Sequence, residues 1–195
     1  MHERKRIRLL GFDYTEVGAY FITSVVKNRT CVFGNIKNEA VELTRCGEIV
    51  REQWMWLQQQ YPYVMLDDFV VMPNHIHGIL NIVDFVGDGR DRPLHGKIKP
   101  LSELVSAFKT TSSKRIHEAG VISFQWQRSF FERIVRNDPE LNPIREYIRT
   151  NPSRWELDVE NQQGALIERG RASSQHHSTH DYYNKLLGHH EVADE

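Results

Sequence analysis

An α+β architecture, one sheet with helices packed on it, is what this sequence predicts, and three observations predict it. Two stretches are rich in β-branched and apolar residues, Ala19–Val26 and Asp68–Val83. Two others, residues 46–60 and Leu101 to about His117, carry apolar residues at helical spacing. Strands and helices alternate irregularly, with a hairpin among the strands, which favours an α+β sheet with helices packed on it. At 195 residues with 39% hydrophobic content the chain suits a single domain with a sizeable core.

Taken in order, Ala19–Val26 is the first strand and Val41–Thr44 its partner across a short link. The helix over 46–60 places Ile49, Val50, Trp54 and Leu57 on one side and stops at Pro62. Asp68–Val83 reads as one long strand bent at Pro73, which lacks the N–H that a ladder needs. Residues 86–100, VGDGRDRPLHGKIKP, form a loop, and Leu101, Leu104, Val105 and Phe108 mark the next helix. Ser129–Arg136 is the last strand. A helix follows over residues 139–150, opened by Asp138-Pro139 and closed before Pro152, with Leu141, Ile144 and Ile148 facing the core. Beyond Trp155 the periodicity fades. The predicted organisation is a folded domain over residues 1–158 and a polar, acidic tail over 159–195, with one short helix near Tyr182–Leu187.

Charge is divided unevenly. Residues 155–195 hold eight acidic against three basic side chains, a net of −5, whereas residues 1–154 hold twenty-two basic against eighteen acidic, a net of +4. A local basic surface can bind a phosphate backbone although the whole chain is near neutral. Lys109, Lys114, Arg115 and Arg128 are the candidate DNA contacts, with Trp126, Phe130 and Phe131 either stacking on bases or packing in the core. Cys31 and Cys46 have no Cys-x-x-Cys spacing, which argues against a zinc cluster or a disulfide framework. No apolar run approaches the ~20 residues of a membrane helix, and MHERKRIRLLGF lacks the features of a secretory signal. The expected location is cytoplasmic, with no membrane partner.

The chemistry centres on VVMPNHIHGIL. Residues two apart on a strand share a face, so His75 and His77 project side by side as a pair of ligands for a divalent metal. In the later helix Tyr147 and Asn151 are four apart and share an edge. An amide oxygen could complete the metal site and a phenol could attack a polarised phosphorus. Asn151 is also a natural helix cap, and five tail histidines (His176, His177, His180, His189, His190) could hold metal loosely.

These blocks resemble the HUH single-tyrosine transposases, and most closely their REP-associated branch. The resemblance runs from about Arg6 to Trp155, through GFDYTEVGAYFITSVVKNR, VVMPNHIHGIL and FQWQRSFFERIVRNDPELNPIREYIRTNPSRW in that order. It implies a central antiparallel sheet in a ferredoxin-like arrangement. It further implies His75, His77 and Asn151 as ligands of Mg²⁺ or Mn²⁺, and Tyr147 as a nucleophile that cleaves and rejoins single-stranded or hairpin DNA through a 5′-phosphotyrosine link. Many insertion-sequence members carry Gln where this chain has Asn151, a departure that points to the REP-associated branch. A non-catalytic DNA-binding protein on the same fold is the alternative, and a histidine-dependent phosphodiesterase a weaker third reading. Tyr182 and Tyr183 are the rival nucleophiles. Monomer and homodimer both stay open.

Overall fold

Strand β1 (Gly18–Val25) lies inside the main sheet, flanked on both edges, because it is largely apolar and buried on both faces from Tyr20 onward. The computed structural model describes residues 17–84, 98–161 and Tyr183. Its elements follow as β2 (Gly34–Lys37), β3 (Ala40–Leu43), α1 (Arg45–Gln60), β4 (Val64–Val71), β5 (His75–Ile82), α2 (Leu101–Glu118), β6 (Phe131–Val135) and α3 (Asp138–Thr150). Single 3-10 turns cover Lys27–Arg29 and Pro152–Leu157.

The main sheet is antiparallel with strand order β4-β5-β1-β6. Together with α1 and α2 this is the β-α-β-β-α-β order of a ferredoxin-like fold, carrying a small hairpin after β1 and a third helix at the end. The α+β expectation therefore holds. Alternation along β5 divides the molecule into two packed layers. Ile76, Leu80 and Ile82 join Tyr20 and Ile22 in a core covered by α1 and α2 through Trp54, Leu57, Leu104 and Phe108. Ile79 joins Phe21 and Phe131 in a second core covered by α3 through Ile144, Tyr147 and Ile148. His75 and His77 point to this second side.

Gly78 sets how closely the first layer packs. A Cβ there would lie 2.5 Å from the Trp54 ring, so the missing side chain lets α1 sit directly on the histidine strand. The caps are local. Thr44 accepts from Gly47 N–H at the start of α1, and Asn137 accepts from Glu140 N–H at the start of α3.

Two expectations about strands are corrected. Asp68–Val83 is not one bent strand but β4 and β5, joined at Pro73-Asn74 and paired antiparallel, with Met72 N–H donating to His75 O. A proline without a ladder donor ended the strand and turned it back. The segment 41–44 does not pair with β1. As β3 it pairs with β2 in a separate two-stranded sheet, because Asn38 and Glu39 take positive φ and make a tight local turn. The packed region also extends past residue 158: Glu160, Asn161 and Tyr183 are buried. The proposed short helix near 182–187 otherwise lies outside the described residues, as do the five tail histidines.

Candidate active site

The site gathers on the α3 side of the sheet, where β5 delivers both imidazoles. His75 and His77 are fully buried, and their Nε2 atoms face each other at 2.9 Å. Each ring is held from behind through Nδ1, His75 by Asn74 Oδ1 and His77 by Thr23 Oγ1, both at 2.8 Å. Thr23 reaches His77 because the two are register partners across β1 and β5. Phe21 stacks on His77, and Trp155 stands 6.0 Å from His75 between ring centres.

Tyr147 arrives from α3. Its hydroxyl lies 3.2 Å from His77 Nε2, and its ring packs edge-on against Phe21 with 8% of its surface exposed. Helix α3 is fastened over the sheet by two ion pairs to a bulge in β4. Arg145 grips Asp67 through Nε and Nη2, and Arg149 Nε reaches Asp68 at 2.9 Å. Arg145 beside Asp67 holds that carboxyl below its usual value.

Asp158 is the member that sequence reasoning missed. Its Oδ2 lies 3.9 Å from His75 Nε2 and 4.0 Å from His77 Nε2, which makes a compact buried His-His-Asp group of the size a divalent ion needs. The 3-10 turn Pro152–Leu157 folds the chain back after α3 and brings the carboxylate in. An acid seven residues past Asn151 was visible in the sequence, but nothing local announces that turn's direction. Asn151 meets the group indirectly. Its Nδ2 donates to Asp158 Oδ2 at 3.0 Å, and its buried Oδ1 has no hydrogen-bond partner among the described residues. The expected third ligand thus sits one hydrogen bond from Asp158, with an acceptor to spare.

Electrostatics follow from burial. Desolvation, reinforced by the neighbouring His77, pushes His75 down to about 3, so its ring is neutral at physiological pH. Burial alone would raise the Asp158 carboxyl. The two imidazoles and the Glu160 N–H, which donates to Oδ1 at 2.7 Å, outweigh it and keep Asp158 ionised. Two imidazoles and one carboxylate form a group that could hold a divalent ion.

The four basic candidates lie elsewhere. Lys109, Lys114 and Arg128 line a groove of about 910 Å³ between α2 and the segment 124–130. This groove borders the first layer, across the sheet from the histidines. Lys109 donates to the carbonyls of Gln127 and Ser129, and burial brings its pKa down to about 8. Lys114 pairs with Glu118 and Arg115 with Glu52 on the surface. Among the aromatics, Phe131 is buried in the second core, while Trp126 packs on the first and donates to Ser112 Oγ. Tyr183, expected in a solvated tail, is fully buried with its ring 5.6 Å from that of His77.

No family model matches the chain. It is 36% identical over 167 residues to an uncharacterized protein of Haemophilus influenzae, covering 81% of this chain and 93% of that one. A second Haemophilus influenzae protein, provisionally described as a REP-associated tyrosine transposase, is 25% identical over 72% of this chain and 73% of its own. Among solved structures, a REP-associated tyrosine transposase bound to a REP hairpin superposes with a TM-score of 0.53 at 20% identity, over 80% of this chain and 74% of that one.

Proposed function

We propose, for a chain that belongs to one family with the 36%-identical Haemophilus influenzae protein and carries the REP-associated tyrosine transposase fold, that it is a DNA transposase-type enzyme. It cleaves and rejoins single-stranded DNA, on hairpin-forming repeats, through a tyrosine nucleophile. The observation that carries this reading is the Tyr147 hydroxyl 3.2 Å from His77 Nε2, at the edge of a buried His-His-Asp group. A phenol set beside a metal-sized cluster of imidazole nitrogens and a carboxylate is an arrangement for phosphoryl transfer.

His75, His77 and Asp158 would hold Mg²⁺ or Mn²⁺, with Asn151 Oδ1 as a further donor. When bound, the ion polarises the scissile phosphate as a Lewis acid. The chain's own residues do the rest. Helix α3 holds the Tyr147 oxygen in position to bond to phosphorus. The P–O3′ bond breaks, the departing 3′ oxygen gains a proton as the phenol loses one, and a 5′-phosphotyrosyl link remains. The energy of that ester lets a second 3′-hydroxyl reverse the step and join strands. Lys114 and Arg128, at the groove beside α2, are proposed phosphate contacts. Lys109, already bound to two carbonyls, and the Glu52-paired Arg115 are weaker ones.

The test is a covalent adduct. Full-length protein incubated with labelled single-stranded hairpin DNA and Mn²⁺ should yield a protein–DNA band that survives denaturation. Tyr147→Phe should abolish it while costing less than about 1 kcal/mol of stability, since only one hydroxyl is removed. An adduct that persists in Tyr147→Phe and vanishes in Tyr183→Phe would move the nucleophile to Tyr183. Binding without any adduct from the wild type would favour the non-catalytic DNA-binding alternative.

A further inference from the structure

Asn74, in the turn before β5, is buried and uses every polar atom of its side chain. One end of the amide lies 3.0 Å from Arg29 O and 2.9 Å from Glu160 O. Main-chain carbonyls only accept, so that end is the NH₂ group and both its hydrogens are committed. The other end is therefore the oxygen, and it faces His75 Nδ1 at 2.8 Å. An oxygen without a hydrogen must accept there, so His75 carries its proton on Nδ1 and presents Nε2 as a bare lone pair. That lone pair points at His77 Nε2, 2.9 Å away, and toward Asp158.

His77 is held differently. With His75 Nε2 able only to accept, the 2.9 Å contact requires a proton on His77 Nε2, while His77 Nδ1 faces the Thr23 hydroxyl at 2.8 Å. A hydroxyl can rotate to donate or accept, whereas the Asn74 amide cannot reverse without losing both carbonyl bonds. One imidazole is preset and the other is adjustable.

We infer that Asn74 is a positioning residue for the metal site: it locks His75 in the Nδ1–H tautomer, with Nε2 ready for a divalent ion, whereas His77 faces a Thr23 hydroxyl that can either donate or accept. The lock is built from distant parts of the chain. Arg29 O lies in the turn after β1, where Asn28 and Arg29 take positive φ, and Glu160 O lies two residues past Asp158. The Arg29–Glu160 ion pair at 2.7 Å ties those two segments to each other. Asn74 thus couples the tautomer of one donor to the segment that carries another. The inference rests on the metal-binding reading above.

The experiment uses full-length, metal-free protein labelled with ¹⁵N-histidine, read by long-range ¹H–¹⁵N spectra and followed by Mn²⁺ titration in a calorimeter. In the wild type His75 should show a protonated Nδ1 and a bare Nε2. Asn74→Ala should mix the His75 tautomers and weaken Mn²⁺ binding roughly 10–100-fold. Asn74→Asp keeps an oxygen against Nδ1 and should restore the tautomer and most of the affinity. A merely structural role predicts equal losses in both variants. A wild-type His75 protonated on Nε2, or an Asn74→Ala protein that binds Mn²⁺ at wild-type affinity, overturns the inference. The wild-type spectrum decides even if the Ala variant does not fold. Failure of wild-type protein to bind Mn²⁺ would instead reject the metal reading.

Discussion

Buried titratable groups give the sharpest consequences at the scale of single residues. In metal-stripped protein, burial lowers His75 from 6.5 to about 3 in the folded state. Between those values the unfolded chain binds the proton and the folded one does not, so stability is full above pH 6.5 and falls as pH drops toward 3. Urea unfolding at pH 7 and pH 4.5 should differ by about 2–3 kcal/mol from this group. His75→Gln should remove that part of the pH dependence, and an unchanged slope in the variant would show that His75 is not the source. Asp158→Asn retains the shape of the side chain but removes the charge facing both imidazoles. It should weaken Mn²⁺ binding at least tenfold in a calorimetric titration, an effect that Asn151→Ala would exceed only if the amide outranks the carboxylate as a ligand. Of these residues, the histidines and Tyr147 were legible in the sequence because alternation on a strand and spacing on a helix place side chains by local geometry. Asp158 was not, since its place depends on the turn after α3.

Elements meet through features that small changes can probe. The histidine strand β5 is pressed against α1 at Gly78, where an added methyl would collide with the fully buried Trp54 ring. Gly78→Ala should destabilise the protein by about 1–3 kcal/mol through overpacking, read from its denaturation midpoint. Pairing with Trp54→Phe should recover part of the loss, and a neutral Gly78→Ala would mean that the layers separate easily. Helix α3 is held differently, by Arg145 on Asp67 and Arg149 on Asp68. These pairs are partly exposed, so solvent screening limits them to about 1 kcal/mol. Asp67→Asn should nonetheless speed amide hydrogen exchange in α3 more than in α1, and salt should narrow the difference. Equal exchange in both helices would show that core packing alone seats the tyrosine. The helices themselves were readable, since α1 and α3 each carry an apolar stripe bounded by Pro62 after α1 and by Asp138-Pro139 and Pro152 around α3, and the structure moved only their starts, by a single residue each. The β3 pairing was not readable, because a four-residue strand carries no information about its neighbour.

For the whole molecule, the acidic C-terminal region bears on both stability and access. Tyr183 is fully buried against Phe21, Phe131, His77 and Tyr147, so Tyr183→Ala should cost about 3 kcal/mol by leaving a cavity in the second core. A chemical-denaturation midpoint equal to that of the wild type would show that the ring does not stay there in solution. Removing residues 162–195 spares the Arg29–Glu160 pair but discards that ring together with five acidic and three basic side chains, a net of −2. DNA affinity should then rise at low salt, and the gain should shrink as ionic strength shortens the Debye length below about 8 Å. A gain independent of salt would assign the effect to uncovering the site instead of to charge.

The sequence by itself determined the α+β class, the two histidines on one strand face, the tyrosine helix with its cap, and the amphipathic helices that cover the sheet. Each depends on a periodicity of two or 3.6 residues, which nearby residues set. The tertiary structure alone decided the strand order, the hairpin at Pro73-Asn74, the arrival of Asp158 beside the imidazoles, the burial of Tyr183, and the two carbonyls that fix the Asn74 amide. These are meetings of residues dozens of positions apart. Which partners meet is selected by how the packed layers close over the sheet, and no local pattern carries that information.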